Sequence, residues 1–471
     1  MSLWTAREAA AATGGESTGD WSATGVSIDS RTLAKGDLFV ALSNSRDGHI
    51  FVGSAFDAGA SAAVVERDVE GLPGGSRLLK VGDGLAALES LGREARARST
   101  AKVIAVTGSS GKTSTKEILR HALAIQGATH FAEQSFNNHW GVPLTLARLP
   151  EDAKFAVVEI GMNRPGEISP LSKMAKPNVC IVTTIGIAHL AAFESIEDIA
   201  REKASIFSGL EDGGIAVVNR DSPGFEILKT KAAEVSAVLV TFGESGSSDW
   251  QICDADDTEF GTRVYARIRN RHASFDLSSF GRHFATNALG ALATIESVGG
   301  DIEAAMSSFA NWVPPQGRGS RTAVWLESAD APINLIDDSF NANPESMDAA
   351  LLVLASTEPK SSSDGKSGGR RIAILGDMLE LGSQSPWLHE KLANHEAIEK
   401  IAVVHCAGPL MRSMYEALPN SKRGYWYESS LELAEKSSRL AEPGDVVLVK
   451  GSKGSKISVV AEAILSLNRE S

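Results

Sequence analysis

VIAVTGSSGKTSTKEILRHAL, residues 103–123, reads as a strand, a glycine-rich loop and a helix, with GSSGKT at the bend. An apolar run precedes the loop, and Ile118, Leu119, Ala122 and Leu123 recur behind it at helical spacing. A loop of this composition cradles phosphate. Gly108 and Gly111 let the chain curl around an anion with its backbone N–H groups bare, while the following helix turns its positive end towards the charge. Lys112 then reaches the β and γ phosphates of a nucleotide and the Thr113 hydroxyl ligates Mg²⁺. Ser109, Ser110 and Ser114 complete the candidate set. The plainer alternative is a glycine-rich turn in an ordinary βα unit, and the strand and helix on either side favour the nucleotide.

Working outward, apolar strand candidates at 103–106, 155–160, 178–185 and 215–218 alternate with helical stretches, which predicts a mostly parallel, doubly wound central sheet. Residues 1–98 read as a small mixed α/β domain that opens with a short helix. NWVPPQGRGSR, with Pro314, Pro315, Gly317 and Gly319, breaks the pattern as a hinge. Beyond it INLIDDSF, RRIAILGDM, IAVVHCAG and DVVLVKGSKG alternate with helices, giving a Rossmann-like C-terminal domain. The expected class is α/β in three domains, 1–98, 99–313 and 314–471. The polar tract 361–369 reads as a surface loop without function.

The chain has 471 residues, 43% hydrophobic and 22% charged, as a globular protein of about three domains should. A net charge of -13 argues against a nucleic-acid partner, so an anionic substrate needs local basic groups and Mg²⁺. Cys180, Cys253 and Cys406 are too few and scattered for a disulfide framework or zinc knuckle, which fits a reducing cytoplasm. The start MSLWTAREAAAATGG lacks the pattern of a secretory leader, and no apolar run is long enough to insert in a membrane. A cytoplasmic monomer is the expectation.

In an open parallel sheet the ligand lies beyond the carboxyl ends of the strands. Glu159 ends FAVVEIGMN and His189 follows VCIVTTIGIAH, so both fall where the phosphate loop lies. Glu159 is either a carboxylate capping a turn or a Mg²⁺ ligand, and its place beside the loop favours metal. A lone histidine such as His189 is usually structural, and the same placement points to metal or phosphate. Lys203, in EDIAREKASIF, reads by itself as a solvated helix lysine.

VTGSSGKTS, EIGMNRPGEI, TTIGIAHL and REKASIF occur in the order shown by the Mur ligases of peptidoglycan synthesis, and the chain resembles that family over nearly its whole length. The resemblance implies an ATP-dependent amide ligase working through an acyl phosphate with two Mg²⁺ ions. FNNHWGVPLTL, DDSFNANPESM and LGDMLELG narrow the resemblance to members that take UDP-N-acetylmuramoyl-tripeptide and D-alanyl-D-alanine. It implies that Lys203 is carbamoylated by CO₂ and ligates the second Mg²⁺ with His189, while Thr113 and Glu159 hold the first.

Further roles carry over residue by residue. Asn287, in GRHFATNALGALA, corresponds to an adenine-binding asparagine, although an asparagine early in a helix also serves local hydrogen bonding. Arg318 corresponds to a hinge arginine that reaches ATP, against a solvated linker arginine. Asp338 and Asn341 correspond to nucleotide contacts, against a capped turn before a helix beginning near Pro344. At the UDP end stand Ser30, Arg31, Asp47, Gly48 and His49, with Asn137 and Asn138 nearer the sugar and phosphates; each is also a residue that makes turn hydrogen bonds. Lys450, Ser452 and Lys453 follow the last strand and would attract substrate carboxylates, or simply form a basic turn.

Two positions depart from the family pattern. Phe340 stands where DSYNANP has tyrosine, and KGSKGSKI replaces the more familiar KGSR form, which loosens the role of Lys453. The rival readings are another Mur ligase, a folylpolyglutamate synthetase, a phosphotransferase on the same phosphate loop, and a catalytically idle UDP-sugar sensor. The hinge implies a C-terminal domain that is open without ligands and closes over ATP.

Overall fold

The structure is a computed structural model and describes residues 2–43, 46–327, 329–360 and 369–469. Residues 361–368 of the tract read as a silent loop lie outside the described residues. Three large sheets follow one another along the chain. The first has five strands in the order Glu16–Ser17, Leu78–Lys80, Ala62–Val65, Asp37–Val40 and Gly25–Ser27. The opening helix, Ala6–Thr13, starts on a capping box in which Thr5 and Glu8 satisfy each other's backbone N–H.

The central sheet has nine strands. Seven run parallel in the order Trp250–Thr258, Val238–Gly243, Ile215–Asn219, Val179–Val182, Lys102–Thr107, Phe155–Glu159 and Thr129–Phe131. Alternate residues of one strand serve different cores: Val103 and Ala105 pack on one face of the sheet, Ile104 and Val106 on the other. That burial on both faces is why the strand reads as a continuous apolar run. The doubly wound expectation holds, with an addition. Trp250–Thr258, Gly261–Ile268 and Arg271–Leu277 extend one edge, the latter two antiparallel to their neighbours.

The third sheet has six strands in the order Ser320–Val324, Ile333–Asp338, Val446–Lys450, Arg371–Gly376, Val403–Ala407 and Arg423–Tyr427, parallel except for the first. The hinge is tied to it: Gly319 N–H donates to Asp337 O at 2.8 Å and Phe340 N–H to Gly317 O at 2.9 Å. Both hinge glycines adopt positive φ, 73° at Gly317 and 84° at Gly319, where a side chain would be strained. The first sheet is fastened to the second through a shared core that includes Trp4, whose indole N–H donates to Ala147 O at 2.9 Å. Among the described residues no helix is long and apolar enough to cross a membrane.

Candidate active site

Lys102–Thr107 lies between Phe155–Glu159 and Val179–Val182, so the carboxyl ends of three adjacent strands open on one point. This is where the strand order reverses direction, the ligand position in such sheets. Here the phosphate loop turns into the helix Lys112–Ala124. Gly111 has φ 81°, and a Cβ there would sit 2.7 Å from Asn287 Oδ1, so only glycine admits the asparagine that early in the helix Arg282–Ser297 faces the loop.

A cavity of about 390 Å³ opens on the loop. Ser109, Ser110, Gly111, Lys112, Thr113, Ser114, Asn137, Glu159, His189, Asn287, Arg318, Asp338, Asn341 and Lys450 all line it, so residues spread over more than 300 positions converge. Gly108 supplies the carbonyl that Lys112 Nζ donates to at 2.6 Å. Thr113 Oγ1 donates to Glu159 Oε2 at 3.0 Å, and Asn137 Nδ2 donates to Glu159 Oε1 at 2.7 Å. A buried carboxylate is thereby aimed at the hydroxyl that begins the helix.

Desolvation lowers the Lys112 pKa against the pull of Glu159, with Arg318 adding to the shift. Arg318 is likewise lowered by burial, with Glu159 and Asp338 opposing. Its guanidinium lies 4.0 Å over the Phe340 ring. The ring thus keeps a packing role at the position where the family pattern has tyrosine. Asp338 and Lys450 are register partners at the ends of neighbouring parallel strands and pair at 2.6 Å. Burial raises the Asp338 pKa while Lys450 pulls it down.

Lys203 is not solvated. It is 1% exposed on the helix Ile196–Ala204, and its ammonium has no hydrogen-bond or ion-pair partner among the described residues. Desolvation pushes it well below the ordinary lysine range, helped by the charge of Lys112. The apolar positions Ile199 and Ala200 are buried on the same helix, and a lysine three or four residues on shares their face.

The other candidates lie elsewhere. Arg31 is 86% exposed and pairs with Asp29 at 2.6 Å, while Ser30 is part-buried beside it. Asp47 accepts from His49 N–H at 3.0 Å and meets His49 Nδ1 at 2.7 Å; His49 Nε2 in turn accepts from Glu66 N–H at 2.9 Å. Both ring nitrogens of the buried His49 are therefore used in holding the loop, and Gly48 fits because a Cβ would lie 2.7 Å from Leu42 N. Asn138 Oδ1 accepts from Gly141 N–H at 2.9 Å, a local bond. Ser452 Oγ donates to Ala342 O at 3.1 Å and accepts from Leu379 N–H at 2.9 Å; the Lys453 ammonium lies 5.5 Å from the Phe340 ring centre.

Three C-terminal residues that the sequence reading did not single out touch the central unit. Asn343 bonds Ser110, Glu345 Oε1 accepts from Ile187 N–H at 2.6 Å, and Glu380 Oε2 lies 2.5 Å from His189 Nδ1. The C-terminal unit thus touches both the phosphate loop and the segment that follows the strand Val179–Val182. All three lie in the stretches DDSFNANPESM and LGDMLELG, and Asn343 also carries a cap signal as the residue before Pro344. The other two are ordinary acidic residues until the units meet.

A phosphate loop at the switch point of a parallel sheet, faced by a second α/β unit that adds Arg318 and Asp338, is the arrangement of an ATP-using ligase. Residues 106–295 match the Mur ligase middle domain, and residues 321–453 match the Mur ligase glutamate ligase domain. The chain belongs to the Mur ligase family. It is 31% identical to the UDP-N-acetylmuramoyl-tripeptide–D-alanyl-D-alanine ligase of Rickettsia prowazekii, over 98% of this chain and 99% of that one. Among solved structures it is similar to MurF from Acinetobacter baumannii, with TM-score 0.83 and 28% identity over 98% of this chain and 99% of that chain. It is also similar to MurF ligase from Thermotoga maritima in complex with ADP, with TM-score 0.77 and 26% identity over 95% and 98% of the two chains.

Proposed function

We propose that this chain joins D-alanyl-D-alanine to UDP-N-acetylmuramoyl-tripeptide at the expense of ATP, a step of peptidoglycan synthesis. The observation that carries the reading is the single cavity in which the phosphate loop, Glu159 and His189 meet Arg318, Asp338 and Lys450 of the other unit. The full-length similarity to ligases bearing that name supports the choice of substrates.

A carboxylate is a poor electrophile, and transfer of the γ-phosphoryl group to one of its oxygens turns phosphate into a leaving group as ADP departs. Positioning and charge neutralisation dominate such a transfer. Lys112 and Arg318 supply cationic charge at the phosphates, and the loop backbone holds the β phosphate. The dipeptide amine then attacks the acyl carbon, and the tetrahedral intermediate expels phosphate. A closed cleft keeps water from the acyl phosphate.

Two Mg²⁺ ions are proposed at this cleft, as the family resemblance implies. Thr113 and Glu159 are already within hydrogen-bonding distance of each other and would hold one. His189 and Lys203 would hold the other, with Lys203 as its CO₂ carbamate. A buried, unpartnered amine of lowered pKa is the nucleophilic form that adds CO₂, and the product is a carboxylate in a place where a cation is disfavoured. Among the described residues no three His, Cys, Asp or Glu side chains converge, so each ion would take oxygens from the nucleotide as well. When bound, the ions would screen the phosphate charge and orient the carboxylate that accepts the phosphoryl group.

The unit 1–98 is assigned to the UDP end through Ser30, Arg31, Asp47, Gly48 and His49, the exposed Arg31 being the group most open to a diphosphate. Unit 99–313 takes ATP, and unit 314–471 closes the cleft and receives the dipeptide near Lys450, Ser452 and Lys453. The working form is a cytoplasmic monomer.

Phosphate release by the purified protein with ATP, Mg²⁺ and UDP-N-acetylmuramoyl-tripeptide tests this directly. Release should need D-alanyl-D-alanine, and neither free D-alanine nor glutamate should replace it. Release with glutamate alone, or none with the dipeptide, overturns the reading.

A further inference from the structure

His189 and Glu380 come from different units, yet each adopts the left-handed backbone conformation, φ 59° and 65°, that non-glycine residues seldom enter. Their approach begins with the backbone. Ala191 N–H donates to Glu380 O at 3.1 Å, and at Gly382, itself at φ 61°, a Cβ would lie 3.3 Å from Ala191 Cα. The turn carrying Glu380 is therefore docked on the turn carrying His189 before either side chain is considered. An ordinary exposed ion pair lacks such support and contributes little. Here the carboxylate, although 59% exposed, is delivered to the ring by two fixed turns.

The contact is made at Nδ1, with Glu380 Oε2 at 2.5 Å. A proton on Nδ1 shared with a carboxylate leaves the lone pair on Nε2, and Nε2 has no partner among the described residues. His189 lines the same cavity as Glu159 and Lys112. A carboxylate behind a histidine fixes its tautomer and its ring orientation. Mg²⁺ prefers oxygen, so an imidazole serving it gains from both effects.

The geometry points to Glu380 as a positioning residue for His189, supplied across the cleft, so that the site for the second cation is completed only when the C-terminal unit is docked. This rests on the reading of His189 as a ligand to that cation. The glutamate touches neither substrate nor ion; it acts through the ring. Cation binding and closure are then coupled, because the docked form alone presents a fully oriented Nε2.

The test uses Mn²⁺ as the probe, titrated into the full-length protein with a non-hydrolysable ATP analogue, reading affinity and the ¹⁴N coupling of histidine to bound Mn²⁺ by pulsed electron paramagnetic resonance. E380A should weaken the more weakly held Mn²⁺ by roughly 10–100-fold and diminish the coupling. E380Q, which keeps an acceptor for Nδ1–H, should recover most of both. H189A should abolish the coupling. If H189A removes the coupling and E380A leaves affinity and coupling unchanged, the positioning role is overturned while the ligand reading stands. If H189A leaves the coupling intact, the ligand reading falls and the inference with it. If E380A merely opens the cleft by solution scattering, with coupling unchanged at saturating Mn²⁺, Glu380 is a latch and the inference is overturned.

Discussion

Asn343 serves two units at once. Its Oδ1 accepts from Ser346 N–H at 2.9 Å, capping the helix Pro344–Ser356, and its Nδ2 meets Ser110 Oγ of the phosphate loop at 2.9 Å. The start of a C-terminal helix is thus fastened to the glycine-rich loop, and the two roles are separable by substitution.

Asn343→Ala should lose the cap, roughly 1 kcal/mol, and lower the melting temperature by a few degrees. It should also raise KM for ATP several-fold. Asn343→Asp keeps a good cap and restores the melting temperature, but places negative charge against the phosphates and should raise KM further. KM values for both variants equal to the parent's would show that the Ser110 contact does not bear on ATP.

Lys203→Met should make the protein more stable and less active together. An unpartnered buried amine costs roughly 1–3 kcal/mol, which the thioether removes, so chemical denaturation in CO₂-free buffer should show a gain. Turnover should fall by roughly 10²–10³-fold, the scale of losing one group that stabilises transition-state charge. Lys203→Ala should regain part of its activity on adding a short carboxylic acid. Full activity in either variant would remove Lys203 from the chemistry.

Phe340 should tolerate a hydroxyl but not truncation. Phe340→Tyr keeps the ring under Arg318 and should leave KM for ATP within about twofold. Phe340→Ala frees the guanidinium, a loss of about 0.5–2 kcal/mol, and should raise KM roughly 2–30-fold. Steady-state kinetics on the two variants decide between ring packing and a need for the hydroxyl.

His405 predicts acid sensitivity far from the cleft. It is buried, and desolvation lowers its pKa to about 4. Between the unfolded value near 6.5 and about 4 the unfolded chain holds a proton that the folded protein refuses, so stability falls as pH drops through that window. Going from pH 7 to pH 5 this one group should cost about 2 kcal/mol. Nδ1 accepts from Tyr425 N–H at 2.9 Å, a bond that the Gln carbonyl oxygen can replace. Urea unfolding of His405→Gln should therefore show a smaller difference between the two pH values than the parent; an unchanged difference would mean that the ring is already protonated when folded.

The stretch 103–123 settled the strand, the loop and the helix behind it, because the glycine positions and the helical period are local properties. Strand runs buried on both faces were legible for the same reason, as in Lys102–Thr107 and Phe155–Glu159. Strand ends located Glu159 and His189, since a parallel sheet puts its ligands there. What lay beyond reach was whatever depends on two distant segments meeting. Lys203 reads as one more charged helix residue until the fold buries it without a partner, and Glu345 and Glu380 gain meaning only from the Ile187 amide and the His189 ring. Chain-local forces write helices, strands and turns into neighbouring residues. Desolvation and the pairing of groups across a cleft exist only after the units have docked, and they are decided by tertiary structure alone.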